Sequence, residues 1–178
     1  MHQADVRAMA LVAVLALSLW APTQADPRAD EAPEKAAIAK VIDASIGWFK
    51  TKDFDLLFTS LAEDPDFFIF HPDSKSTIRS GEEFRKYSAL FRNPDVKYSR
   101  HAVRDLRIHL SRLADAAWYS AMLDDCSEYK GKESCWNDCR WTGVLEKQEG
   151  RWIIVQMHFS FAADKVAEEA AAKAKEGK

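Results

Sequence analysis

The chain has 178 residues, 25 Lys plus Arg against 28 Asp plus Glu, and three cysteines. That length suits one domain with appendages, and a net charge of −3 removes the electrostatic case for a dedicated nucleic-acid binder. With 47% hydrophobic residues and only 6 Gly and 6 Pro, the chain is neither disordered nor collagen-like.

Residues 1–25 read as an export signal. The run Ala8–Trp20 is apolar except at Ser18, too short for the roughly 20 residues of a comfortable membrane span. Ala21-Pro22-Thr23-Gln24-Ala25 follows, with small residues suited to cleavage after Ala25. The expectation is a periplasmic or secreted protein with no stable membrane span after cleavage. Asp5 and Arg7 leave together, so the net charge is unchanged. Residues 26–33 read as a polar linker, 34–162 as the domain, and 163–178 as a polar tail of helical propensity with almost nothing large to bury.

The helical elements come first. Ala37, Ile38, Val41, Ile42, Ser45, Trp48 and Phe49 repeat at helical spacing within 34–50. Phe54, Leu57, Phe58 and Leu61 predict a second, short helix over 53–62. Phe67-Phe68-Ile69-Phe70 predicts a short strand, closed by His71-Pro72-Asp73 as a turn. Ser80-Gly81-Glu82-Glu83 is a capping box for a helix that carries Phe84, Tyr87, Leu90 and Phe91 and stops at Asn93-Pro94.

Thereafter the period is two, predicting strands over 96–110, 114–126, 134–147 and 151–161. Helices followed by hairpin-linked strands define an α+β fold with helices on one face of the sheet. A three-residue loop with Gly150 left-handed pairs Lys147 with Arg151, Trp141 with Met157 and Arg140 with His158. A turn centred on Lys130-Gly131 sets Cys126 opposite Cys135, Trp118 opposite Gly143 and Ala121 opposite Arg140.

In an oxidising compartment the three cysteines allow one internal bridge and leave one thiol. The register makes Cys126–Cys135 the expected pair. No His lies nearby to complete a zinc set, so neither metal nor cofactor is expected. The same register puts Trp118, Met122, Trp141, Leu145, Ile153, Val155, Met157 and Phe159 on one face. Tyr119, Leu123, Val144 and Ile154 fall on the other, with Arg140, Thr142, Gln156 and His158 among them.

Trp141-Thr142-Gly143-Val144-Leu145-Glu146-Lys147, then Gly150-Arg151-Trp152 and Val155-Gln156-Met157-His158-Phe159-Ser160, resembles the closing hairpin of the SnoaL-like domains of the nuclear transport factor 2-like superfamily. The resemblance implies a cone: a strongly curved mixed or antiparallel sheet, N-terminal helices on its concave face, a pocket at one end and frequent homodimers through the sheet. It implies little about activity, because that superfamily includes isomerases, cyclases, dehydratases, transport factors and oligomerisation modules. Its enzymes typically use a pocket carboxylate as base, and no motif here singles one out.

Candidate chemistry is therefore read from the residues. Arg140, His158, Tyr119 and Gln156 are expected neighbours. Arg140 offers a planar fork for an anion, His158 an acid or base near neutral pH, and Tyr119 a hydrogen-bond donor; a polar stripe at a dimer interface is the competing reading. Asp124 and Asp125 end a strand, and one of them turned inward would be a candidate base. Trp48, Phe68, Phe70, Trp118 and Trp141 are candidate walls of an apolar pocket. Arg100, His101, Arg104, Arg107 and His109 read as the wet side of a strand. The function expected is binding of a small, partly apolar or carboxylate-bearing molecule. The alternatives are a cofactor-independent cyclase, isomerase or dehydratase, and an oligomerisation module.

Overall fold

The computed structural model describes residues 31–73 and 75–176. The signal segment and most of the expected linker lie outside them. Helix α1 (Glu31–Gly47) begins three residues inside the expected linker, since Pro33 in a first turn forfeits no hydrogen bond. It buries Ile38, Ile42 and Ser45 and passes through a 3₁₀ turn, Trp48–Lys50. Asp53 then caps α2 (Phe54–Ser60), its carboxylate accepting from the Leu56 N–H at 2.9 Å.

Strand β1 (Phe68–Phe70) is followed by α3 (Gly81–Ser88), whose Ser80 hydroxyl accepts from the Glu83 N–H at 3.1 Å. The reciprocal arm of the box is displaced by one residue, because the Glu83 carboxylate accepts from the Arg79 N–H at 2.7 Å. Four long strands follow: β2 (Val96–Leu110), β3 (Ala116–Tyr129), β4 (Lys132–Gln148) and β5 (Arg151–Ser160). The sheet order is β1-β5-β4-β3-β2, with β1 parallel to β5 and every other pair antiparallel. The sheet is curved and unclosed, and the N-terminal helices pack on its inner face. Helix α4 (Ala163–Glu176) completes the chain. No helix of the described residues is long and apolar enough to cross a membrane.

The register departs from the expected one in both hairpins. Glu149 (φ 51°) and Gly150 (φ 79°) form a two-residue turn, so Gln148 pairs with Arg151 instead of Lys147. Two successive left-handed residues match the right-handed twist of the strands they join, which favours this turn over the longer loop. An extra residue, Val155, then shifts the pairing again, so that Trp141 meets Phe159 and Thr142 meets His158.

In the β3–β4 hairpin the tight turn at Lys130-Gly131 and the Cys126–Cys135 pairing are as expected. Beyond them a bulge sets the single residue Asp124 against two, Asn137 and Asp138. Asp138 takes the left-handed conformation (φ 55°), and its N–H bonds the Asp124 carboxylate at 2.8 Å. The bulge moves Tyr119, not Trp118, opposite Gly143, and Trp141, not Arg140, opposite Ala121.

This one-residue slip exchanges the β3 faces. Tyr119 and Leu123 point inward with Trp141, Leu145, Met157 and Phe159, whereas Trp118 lies outside and half exposed. The core joins Ile38 and Ile42 of α1, Leu57 of α2, Ile69 of β1 and the sheet's Leu123, Trp141, Leu145 and Ile154, all essentially inaccessible. Phe159 stacks on Trp141 at 5.6 Å, and Tyr119 meets Trp141 edge-on at 5.1 Å. A buried-edge tie locks helix to sheet: the Glu34 carboxylate accepts from Lys147 Nζ at 2.6 Å and from Trp152 Nε1 at 2.5 Å.

Candidate functional site

Between the helices and the inner face of the sheet lies a cavity of about 250 Å³. Trp48, Phe49, Phe84, Tyr87 and Phe91 form its helical side. The sheet contributes Leu123, Asp125 and Ser127 from β3, Ser134 and Trp136 from β4, and Met157 and Phe159 from β5. Its size suits a one- or two-ring molecule, just below the roughly 300–1,000 Å³ of drug-sized sites. Among the described residues the lining includes an acid, an imidazole and a phenol but no Lys or Arg.

Asp125 is the inward member of the acidic pair. It stands opposite His101 on β2 and Trp136 on β4, and burial raises its carboxyl above the usual range, with His101 acting in the opposite direction. Asp124, one residue along, faces outward. There the Arg104 guanidinium grips it bidentately at 3.0 and 3.0 Å and also reaches Asp138 at 2.7 Å. Those hydrogen bonds hold the Asp124 carboxyl low, so it is an ion-paired carboxylate and not a base.

His71 lies on the cavity wall, stacked 5.6 Å from Phe159 and 9° from parallel. Its Nδ1 is 2.6 Å from the Ser76 carbonyl oxygen. A carbonyl only accepts, so Nδ1 carries the proton and Nε2 is left as an acceptor or base. Burial lowers the pKa of the imidazole, with the Ser76 carbonyl and Asp73 pulling the other way. Burial likewise raises the phenol of Tyr87, whose ring is 5.7 Å from His71. Behind the sheet pair, the Tyr98 hydroxyl accepts from the His101 N–H at 3.0 Å and sits 3.1 Å from His101 Nδ1. Asp43 of α1 lies 3.4 Å from His101 Nε2.

The structure separates the residues that the expected register brought together. Arg140, Gln156 and His158 lie on the outer face, where Thr142 is paired with His158 and Val144 with Gln156. Tyr119 is inside, and its hydroxyl and the Trp141 indole N–H are buried with no hydrogen-bond partner of good geometry. Burial pushes the Tyr119 phenol well up, and the nearby indole opposes this only weakly. Of the expected aromatic walls, Trp48 alone lines the cavity. Trp141 is core, Trp118 stacks on His109 outside, and Phe70 sits against His158, also outside. The basic stretch is exposed at Arg100, Arg104, Arg107 and His109, but His101 turns inward after the irregularity between Tyr98 and Arg100.

Cys126 and Cys135 are joined by a disulfide across β3 and β4, and Cys139 is a buried free thiol raised to about 11 by burial. Glu133 lies within 4.8 Å of both bridged sulfurs, but sulfurs already bonded to each other are not thiolate ligands, so the trio does not form a metal site. His71, Tyr87 and Trp136 were not singled out from the sequence. Alternation had a signal for the first: with Phe67 and Ile69 inward, His71 is next on the same face. Tyr87 belongs to the Phe84–Phe91 stripe of α3 and its extension.

A curved, unclosed sheet wrapped over helices, with isolated polar groups inside an aromatic cavity, defines a small-domain class built around an internal pocket. The chain belongs to the SnoaL-like domain family, whose model matches residues 38–164, and so to the nuclear transport factor 2-like superfamily. No curated protein matches. Among solved structures, a candidate scytalone dehydratase from Novosphingobium aromaticivorans aligns with TM-score 0.61 at 11% identity, over 72% of this chain and 83% of that one. The association domain of C. elegans CaMKII aligns with TM-score 0.57 at 19% identity, over 75% and 99%. An NTF2-like protein from Cytophaga hutchinsonii aligns with TM-score 0.57 at 15% identity, over 72% and 98%. At these identities the likeness establishes the fold alone.

Proposed function

We propose that this domain binds a small, neutral, partly apolar ring molecule in the cavity, through Asp125 and the Nε2 of His71. The observation that carries the reading is the lining itself: aromatic walls, a carboxyl raised by burial, an imidazole whose pKa burial lowers, and no Lys or Arg among the described residues. Asp125 and His71 Nε2 give the hydroxyl of such a molecule two hydrogen-bond partners inside aromatic walls. A carboxylate-bearing ligand finds no cation there and meets Asp125. Titration with 2-naphthol and 2-naphthoate, followed by tryptophan fluorescence, tests this. The naphthol is expected to bind at least tenfold tighter, and Ser127→Trp, which fills the cavity from β3, is expected to abolish binding. Equal affinity for both probes would overturn the reading.

The alternative of a cofactor-independent isomerase or dehydratase is favoured by one observation. Burial raises the acid Asp125 and lowers the base His71 on the walls of one cavity, and titratable groups perturbed by burial in a cleft are the usual mark of an acid–base site. His71-dependent deuterium incorporation next to the carbonyl of 1-tetralone in heavy water would support it. Exchange unchanged by His71→Ala would count against it.

Two further parts of the reading concern assembly and location. A homodimer through the outer sheet face is proposed on half-exposed Trp118 and Phe70 there; light scattering should show the dimer, and Trp118→Glu should dissociate it. Export rests on the apolar run and Ala25, and an N-terminus at Asp26 in protein recovered from outside the cytoplasm is the expected result.

A further inference from the structure

The geometry points to the Cys126–Cys135 disulfide as a redox control of the cavity: the bridge holds one wall in place, and its reduction releases that wall. This rests on the cavity being the binding site. Four lining residues form two cross-strand pairs, Asp125 with Trp136 and Ser127 with Ser134, and these pairs flank Cys126 with Cys135 in the register. Side chains alternate across a sheet, so the bridge lies on one face and the four lining side chains on the other. A single covalent bond therefore backs these four side chains of the β3–β4 wall.

The rest of that hairpin end is held non-covalently, by pairing of β3 with β2 as far as Tyr129 and with β4 down to the turn. Its tip, Tyr129 to Glu133, is exposed, and the bulge at Asp124 interrupts the ladder on its other side. Between tip and bulge, the bridge is a covalent tie added to the pairing of Asp125 with His101 and Trp136. Reduction by a dithiol supplies two electrons and two protons: the S–S bond breaks, two thiols form, and the dithiol becomes a disulfide.

Access opposes this reaction in the closed state. The Cys126 side is buried while Cys135 is partly exposed, with Arg100 Nη2 3.8 Å from its sulfur. Attack at Cys135 expels the Cys126 sulfur as a thiolate into a buried position, so reduction requires the hairpin to open. A molecule filling the cavity holds the hairpin shut. Binding and reduction then oppose each other, as linkage requires. Cys139 offers no escape by exchange, since it is buried, carries a thiol raised to about 11 and contacts the Ser160 carbonyl on β5.

The test uses the full chain oxidised, reduced with excess dithiothreitol, and as Cys126→Ser/Cys135→Ser. Hydrogen exchange reports the wall without any ligand. Amides of 125–127 and 134–136 are expected to exchange at least tenfold faster in the reduced protein, with those of Trp141 to Leu145 unchanged. Titration with 2-naphthol should give a Kd at least fivefold higher in the reduced and double-serine forms. Saturating 2-naphthol should slow maleimide labelling of the reduced cysteines at least fivefold, a protection that Ser127→Trp removes. Unchanged wall exchange on reduction would overturn the control, whatever the probe does. Faster wall exchange with no 2-naphthol binding to the oxidised protein would support control of the wall and refute the cavity reading instead.

Discussion

Gly143 is a position where one added methyl group tests the tertiary register. A Cβ built there would stand 2.6 Å from the Gln156 carbonyl oxygen, 2.6 Å from Tyr119 Cε1 and 2.7 Å from the Tyr119 hydroxyl. The backbone oxygen cannot move without breaking the β4–β5 ladder, and the Tyr119 ring is wedged edge-on against Trp141. Overpacking of this kind costs about 1–3 kcal/mol. With both a backbone atom and a fixed ring in the way, Gly143→Ala should fall at the upper end, about 2–3 kcal/mol. For a domain of this size that is a drop in Tm of about 6–12 °C.

Double-mutant cycles on thermal or urea unfolding separate the two registers. Tyr119→Leu should relieve part of the clash, giving a coupling of about 1 kcal/mol with Gly143→Ala. Trp118→Leu should give none, because Trp118 faces outward opposite Val144. Coupling to Trp118 and not to Tyr119 would mean that the bulge at Asp124 is absent and the inner face wrongly composed. A Gly143→Ala variant as stable as the parent would refute the close approach itself.

Asp125→Asn should raise Tm near neutral pH, because the folded state disfavours the ionised carboxyl. A raised folded pKa contributes stability that is present below the carboxyl range and lost as pH rises, so the gain should vanish near pH 3.5 in a series of melts. Glu34→Gln has the opposite sign. Hydrogen bonds from Lys147 and Trp152 lower the Glu34 carboxyl despite some desolvation, so the variant should lose about 1–2 kcal/mol above the carboxyl range and little below it, read by the same melts. Ser80→Ala removes the acceptor for the Glu83 N–H and should cost about 1 kcal/mol in urea unfolding.

The helices and strands were legible because each rests on nearby residues. Helical spacing of Ile38 and Ile42, the Ser80 cap and the two-residue alternation from Val96 onward all act over a few positions. The Cys126–Cys135 pairing was legible for the same reason: only a tight turn lies between those residues. The candidate site depends on longer-range events. A left-handed Asp138, an extra Val155 and a two-residue turn at Glu149-Gly150 each shift pairing by one residue, and alternation carries that shift to every side chain beyond. Inward Asp125 and outward Asp124 are thus decided by where the ladder slips, as is the separation of Tyr119 from Arg140 and His158. Nineteen of the twenty aromatic residues fall between Trp48 and Phe161, a clustering along the chain that is itself local and legible. Which of them enclose a cavity with Asp125 and His71 is decided by the curvature of the sheet over the helices, a property of no local segment.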